Sequence, residues 1–185
     1  MGINIIKKMK KLHLGCGTKK IENFINIDIR EDVNPDLIDD ISKLNNIEEN
    51  SVDLIYACHV LEHFGRHEYM SVLKRWYEVL KNDGVLRISV PDFSEIVNYY
   101  NKNNDLKKLI GFLYGGQNYK ENYHYYTWDF NSISEDLKSV GFKNVIKYDW
   151  RKTEHHDVDD FSQAYIPHMD KENGILMSLN IEAIK

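Results

Sequence analysis

Apolar positions along this chain follow two periods, and the switching between them sets out an order of elements. Short runs in which apolar residues are continuous or alternate with polar ones read as strands at Leu12–Leu14, Phe24–Arg30, Asp36–Ile41, Val52–Ala57, Val85–Val90, Phe142–Trp150 and Gly174–Glu182. Between Glu68 and Lys81 the spacing changes to three and four. There Tyr69, Val72, Leu73, Trp76, Val79 and Leu80 fall on one side of a helix, and Asn82-Asp83-Gly84 stops it and turns the chain. Phe93–Tyr100 and Asp105–Leu113 carry helical patterns. So does Asn131–Val140, where Ile133, Leu137 and Val140 share a face and Gly141 ends the helix. Strands alternating with helices predict an α/β fold, a mostly parallel sheet wrapped by helices. The last two strands have no helical pattern between them, which predicts an antiparallel pair at one edge. No internal repeat and no domain boundary appears over 1–185.

Ligands of such sheets bind at the carboxyl ends of the strands. Gly15, Asp28, Asp40, Cys58-His59 and Pro91-Asp92 all fall at those ends. The densest corner runs from Lys11 to Arg30. A short apolar strand ends in Gly15-Cys16-Gly17, and the next ends on Asp28. Glycines let backbone N–H groups approach a ligand with no Cβ in the way, and a carboxylate at the second tip accepts two ribose hydroxyls. A dinucleotide site needs a third glycine, where Lys20 stands, and an acid roughly 20 residues beyond the turn; Asp28 comes much sooner. The corner therefore reads as a site for S-adenosylmethionine. The six-residue link Thr18–Asn23 is too short for an ordinary crossover, which takes about a dozen residues. The first crossover helix is thus expected to be very short or absent, with little helix-dipole help for the cofactor carboxylate. At the third tip, Asp40 and the Ile41 backbone are candidates for the adenine edge, against the plainer role of Asp39 and Asp40 as caps of the next turn.

Composition narrows the classes. A length of 185 residues suits one domain, and a net charge of −5 disfavours a nucleic acid partner. No apolar run approaches the roughly 18 residues of a membrane span. Ile3–Lys11 has too little apolar length for a signal sequence, and Lys7, Lys8, Lys10 and Lys11 read as a solvated lead-in. Two cysteines, Cys16 and Cys58, do not suggest a disulfide framework and fit a reduced, cytoplasmic setting. Twelve tyrosines, clustered after Tyr99, are either a sugar-stacking surface or core and rim packing.

His59-Val60-Leu61-Glu62-His63 has the spacing of inverted zinc peptidases, in which two histidines hold the metal and the glutamate is the base. That motif belongs inside a long helix. Here it leaves a strand, and the blander reading is a turn with polar groups facing the pocket. Among the eight histidines, His124 is the first candidate for a general base, because it sits in a loop after Gly115-Gly116. His59 is the second, and His155, His156 and His168 rank lower. Asp157, Asp159 and Asp160 with His155 form either a divalent-ion site or, in the favoured reading, an acidic surface loop.

With these motifs in hand, the chain resembles class I S-adenosylmethionine-dependent methyltransferases. Leu12–Gly17 is similar to their first motif, Asn26-Ile27-Asp28 to the second, Ala57–His63 to the segment after the fourth strand, and Val79–Leu86 to the turn into the fifth. Asn82-Asp83 stands where the family often has Lys-Pro. The resemblance implies a Rossmann-like, seven-stranded, mostly parallel sheet with a terminal antiparallel strand. It implies one methyltransferase domain over 1–185, with a cofactor-binding half at 1–91 and a substrate-facing half at 92–185. Its cofactor contacts would come from His13, Gly15, Cys16, Gly17, Asp28, Ile29, Asp40, Ile41, Cys58, His59 and His63, with no metal. Leu86–Phe93, Tyr114–Gln117, Pro167–Glu172 and Ser178–Asn180 resemble a narrower group tied to bacterial surface-polysaccharide and glycan synthesis. That implies O-methylation of a sugar hydroxyl on a nucleotide sugar or glycan. Other acceptors, a small molecule or a lipid, stay open, as does a homodimer. Two other classes compete: a catalytically silent cofactor- or partner-binding module, and a zinc hydrolase built on His59, Glu62 and His63.

Overall fold

The structure is a computed structural model and describes residues 9–185; Lys7 and Lys8 of the lysine-rich lead-in lie outside the described residues. Its strands are β1 (Lys11–Leu14), β2 (Ile25–Asp28), β3 (Leu37–Ile38), β4 (Val52–Cys58), β5 (Leu80–Pro91), β6 (Lys143–Lys147), β7 (Tyr165–Ile166), β8 (Ile175–Leu176) and β9 (Ser178–Ile184). Seven of them form one sheet in the order β3-β2-β1-β4-β5-β9-β6, and β7 pairs with β8 apart from it. The pairs from β3 to β5 are parallel, while β9 runs antiparallel to both β5 and β6. This is the expected sheet, with its last strand reversed. The α-helices are α1 (Tyr69–Val79), α2 (Phe93–Asn103), α3 (Ile110–Tyr114) and α4 (Phe130–Val140).

Strand alternation gives the sheet two different faces. On one, Leu12, Leu14, Ile55, Ala57, Leu86, Ile88, Leu179 and Ile181 are buried in a single apolar cluster with α1 and α4. The stripe read from the sequence is the face α1 buries: Tyr69, Val72, Leu73, Trp76 and Val79. The Trp76 indole also donates to the Ile41 carbonyl at 2.8 Å. The register places His13 beside Asn26 and Tyr56, Tyr56 beside Arg87, and Ser89 beside Asn180, all on the other face. That face is largely polar, and its cover among the described residues has only short 3-10 turns, at Trp150–Lys152 and Phe161–Gln163, in place of an α-helix. Its cover is irregular chain, the loop after β1 and the stretch 148–163. Phe24 and Ile21 pack there on Tyr56, and His155 stacks on the Tyr56 ring at 4.2 Å. Asp160 accepts from the Tyr56 hydroxyl at 2.7 Å, Asn180 donates to the Ser162 carbonyl at 2.9 Å, and Arg87 ion-pairs with Glu154 at 2.7 Å.

Several elements depart from the pattern read along the chain. Between β1 and β2 the described residues contain turns and no helix, as the short link required. In its place the Asn26 side chain ties the loop together. Its amide donates to the Ile21 and Phe24 carbonyls and to Asp36, and its oxygen accepts from the Ile21 N–H and faces His13 Nδ1. Asn82-Asp83-Gly84 lies inside β5: Leu80 already pairs with Val52, and the residues up to Val85 form a bulge. The turn chemistry was legible, but pairing to β4 had resumed before it. The closing run splits at Met177, whose N–H turns to the Ala164 carbonyl, so β8 joins β7 while β9 joins the sheet. Lys11 is a strand residue paired with Glu154 at 3.2 Å rather than a solvated lead-in.

Candidate active site

The ends of β1 and β2 lie side by side, and the glycine turn after β1 is bonded to Asp28 at the end of β2. Gly15 and Gly17 both have positive φ. A Cβ on Gly15 would meet Val60 Cγ2 at 2.6 Å, so the turn can lie against the segment after β4 only as glycine. A Cβ on Gly17 would meet only Arg30 Nη2, at an ordinary contact distance of 3.9 Å, so the positive φ and not crowding is what asks for glycine there. Asp28 is buried at 6% exposure. Its two oxygens accept from the N–H groups of Gly17 (2.8 Å) and Arg30 (2.9 Å). Each oxygen keeps a lone pair, which fits two ribose hydroxyls. Cys16 is buried, and burial pushes its thiol up to about 11. Ile29 stands 53% exposed at the tip of β2.

Other candidates are placed differently. His13 is 3% exposed and faces Asn26 on the polar side of the sheet, and Cys58 turns the same way, its thiol pushed well up by burial. Asp40 accepts from Ser42 and from Lys43 Nζ at 2.7 Å, while Asp39 accepts from the N–H and side chain of Asn46. Both carboxylates thus work as turn caps. Burial opposes ionisation of Asp40, but Lys43 and Ser42 hold it below the usual carboxylate range.

The segment after β4 is the chemical centre. Leu61–His63 forms a single 3-10 turn, too short to present a zinc-peptidase helix. Glu62 is fully buried there, among His59, His63 and His124. His59 has a positive φ, its Nδ1 lies 3.1 Å from Glu62 Oε1, and its Nε2 lies 2.8 Å from Ser178 Oγ. The Ser178 hydroxyl donates to the Phe161 carbonyl, so it accepts from His59 Nε2–H. His124 donates from Nδ1 to the Phe112 carbonyl at 2.9 Å, which leaves the Nε2 lone pair 3.9 Å from Glu62 Oε1. His63 faces carbonyl oxygens with both nitrogens, Tyr123 at 3.0 Å and His59 at 3.1 Å. Burial alone would push the Glu62 carboxyl up, but the surrounding imidazoles hold it below its ordinary range. Burial lowers His124, against the pull of Glu62.

His124 and His59, taken from distant stretches as rival bases, are thus brought to one carboxylate. Sequence reasoning placed Glu62 in a zinc motif or in the polar turn after the fourth strand, gave it no role toward His124, and missed Ser178 as the partner of His59. The three-residue spacing of His59 and Glu62 was the available signal. Tyr123 and Tyr125 flank His124, exposed and stacked with centroids 6.4 Å apart, while Tyr126 packs inward on Tyr69 and Trp128. The packing reading therefore holds for Tyr126, while Tyr123 and Tyr125 are left on the surface. Past Ser178 a cleft of about 320 Å3 opens between the ends of β5 and β9, lined by Asp92, Glu95, Lys147, Tyr148, Ser178 and Asn180 among others. The Asp157, Asp159, Asp160 and His155 set does not converge. His155 is buried on Tyr56, burial lowering it to about 4, while Asp160 bonds Tyr56 and Asp159 faces Lys171 at 3.5 Å.

Residues 12–88 match the family model described as a methyltransferase domain. A search of curated proteins finds no match to the chain. Solved structures share its fold at low identity. An S-adenosylmethionine-dependent methyltransferase from Archaeoglobus fulgidus is 16% identical with a TM-score of 0.57, over 97% of this chain and 87% of that one. One from Thermotoga maritima is 13% identical with a TM-score of 0.58, over 98% and 84%. The 1,6-didemethyltoxoflavin-N1-methyltransferase of Burkholderia thailandensis, solved with S-adenosylhomocysteine, is 15% identical with a TM-score of 0.57, over 95% and 70%. Neither a silent module nor a zinc hydrolase is favoured by these matches, and S-adenosylmethionine is the cofactor that goes with them.

Proposed function

We propose that this chain, with the class I S-adenosylmethionine-dependent methyltransferase fold and a methyltransferase domain over residues 12–88, is an O-methyltransferase acting on a sugar hydroxyl of a nucleotide sugar or surface glycan. The observation that carries the reading is the convergence of His124 and His59 on buried Glu62, against the glycine corner. Bound, S-adenosylmethionine supplies an activated methyl group. The backbone of Gly15, Cys16 and Gly17 would hold its amino acid end, Asp28 its ribose, and Ile29 with the Asp40–Ile41 backbone its adenine. A hydroxyl is a poor nucleophile and gains from a general base, whereas the more basic lone pair of a neutral amine attacks before its proton is lost. His124 has what a base needs: a tautomer fixed by Phe112, a free Nε2, and a carboxylate nearby to stabilise the imidazolium. His59, the other candidate, has its Nε2–H on Ser178 and its Nδ1 against Glu62, so it serves better to position the carboxylate than to take a proton. The exposed Tyr123 and Tyr125 rings suit the apolar face of a sugar. The narrower resemblance to polysaccharide-associated methyltransferases supports the same acceptor class.

Calorimetric titration with S-adenosylmethionine tests the first half. Micromolar binding by the intact chain should collapse in Asp28→Ala, and no binding by the intact chain would undo the reading. Turnover on a panel of sugar acceptors tests the second. His124→Ala should lose about 100- to 10,000-fold in kcat, and an unchanged rate would remove His124 from the mechanism.

A further inference from the structure

Glu62 raises a question that proton transfer alone does not answer. Its carboxylate is 0% exposed, and neither oxygen has a hydrogen-bond partner among the described residues, His59 Nδ1 facing Oε1 at 3.1 Å as an ion-pair contact. A buried carboxylate without full compensation is costly, and the loop carrying His124 is bound onto the same turn through the Tyr125 N–H and the Glu62 carbonyl, 2.8 Å apart. A Glu62 oxygen and one ring nitrogen each from His63 and His124 lie within 4.8 Å of one another.

We propose that Glu62, His63 and His124 bind one divalent transition-metal ion. The donor set is one carboxylate and two imidazoles, which suits zinc or manganese better than magnesium, an ion that prefers oxygen. Bonds of about 2.0–2.2 Å to a tetrahedral ion put ligand atoms about 3.4 Å apart, so the side chains close in by roughly an ångström. His124 is already oriented as ligating histidines are, its other nitrogen donating to a backbone carbonyl. His63 faces a carbonyl with each nitrogen, but a neutral ring donates only once, so one nitrogen keeps a lone pair and turns from its carbonyl to reach the ion. His59 stands outside the set and holds Glu62 from behind, itself fixed by Ser178. Its place there separates this site from the His59, Glu62 and His63 arrangement of a zinc peptidase. Three protein ligands leave a position open. On the methyltransferase reading, an acceptor oxygen would take that position and be made acidic enough to release its proton to water; His124 is then a ligand while the ion is bound and the base only in its absence. The metal site itself does not depend on that reading.

The test is calorimetric titration of the chelator-treated full chain with zinc chloride and, separately, manganese chloride. One ion should bind per chain. Glu62→Gln and His124→Ala should each weaken binding by more than the about 10- to 100-fold expected when His59→Ala removes an outer partner. Far-UV circular dichroism follows the folding of each variant, and His124→Ala, at the rim of the cluster, carries the test if Glu62→Gln unfolds. Failure of the intact chain to bind one ion would overturn the proposal, as would binding that is undiminished in His124→Ala. A chain that binds S-adenosylmethionine but no metal would defeat the metal site and leave the methyltransferase reading standing. One that binds metal but no S-adenosylmethionine would do the reverse.

Discussion

Gly15 and Gly17 share a left-handed backbone but not their surroundings, and the difference is measurable. Either residue changed to alanine carries the conformational cost, about 1–2 kcal/mol. Gly15→Ala adds a collision with Val60 at 2.6 Å, whereas Gly17→Ala meets only Arg30 Nη2 at an ordinary 3.9 Å. Urea unfolding should show Gly15→Ala to be the more destabilised. Gly17→Ala should lose more in affinity for S-adenosylmethionine than in stability. Equal losses of stability would mean that Val60 moves aside freely. At this scale the sequence was readable where a residue type has few uses. Glycines ending a strand and a carboxylate ending the next mark the corner. It was less readable for Asp40 and His13, because a carboxylate at a strand tip can cap a turn and a histidine in a strand can face either side of the sheet. Only the neighbours decide, Ser42 and Lys43 for the one and Asn26 for the other.

Among the elements, helix α1 was legible from its stripe, while the cover of the polar face was not. Residues 151–163 carry no period, and their acids and histidines read as a surface loop, while 148–150 read as the end of a strand that in fact stops at Lys147. What gives them a fixed place is the row His13, Tyr56, Arg87 and Ser89 beneath, whose polar groups need partners that a helix backbone, with its own groups already paired, does not offer. Tyr56→Phe tests this attachment. It removes the bond to Asp160 and leaves the rings of His13 and His155 packed. Loss of a hydrogen bond to a charged group costs about 1.5–3 kcal/mol, to be read by urea unfolding. Limited proteolysis should show the 148–163 stretch opening before the sheet does. A variant as stable as the parent would show that the loop is held without Tyr56.

For the molecule as a whole, the alternation of strands and helices was enough to give the sheet, its reversed last strand and the missing first helix. The meeting of His124 with His59 was not, because it depends on a contact between loops 60 residues apart, such as that of His63 with Tyr123. Acid stability is also a property of the whole fold. Burial lowers His155 from 6.5 to about 4. Between those values the unfolded chain takes a proton that the folded chain refuses. Stability should therefore be full above pH 6.5 and decline toward pH 4, by up to about 3 kcal/mol. Glu154 adds a second, lower limb. Its carboxyl would be raised by burial, yet Arg87 and Lys11 hold it at about 2, so its contribution is complete above pH 4.5 and fades below. His155→Leu should flatten only the upper limb in unfolding curves taken across pH. An unchanged curve would place the acid sensitivity elsewhere.

The helix-free link between β1 and β2 also bears on the order in which the chain assembles. His13 and Asn26 are only 13 positions apart, whereas Ser89 reaches Asn180 across 91. Closing a short loop loses less chain entropy than closing a long one, and pairings distant in sequence form slowly. The cofactor corner can therefore organise early, as a local unit knotted by Asn26, and β9 enters its slot between β5 and β6 late. In pulse-labelled hydrogen exchange, the amides of β1 and β2 gain protection before those of β9.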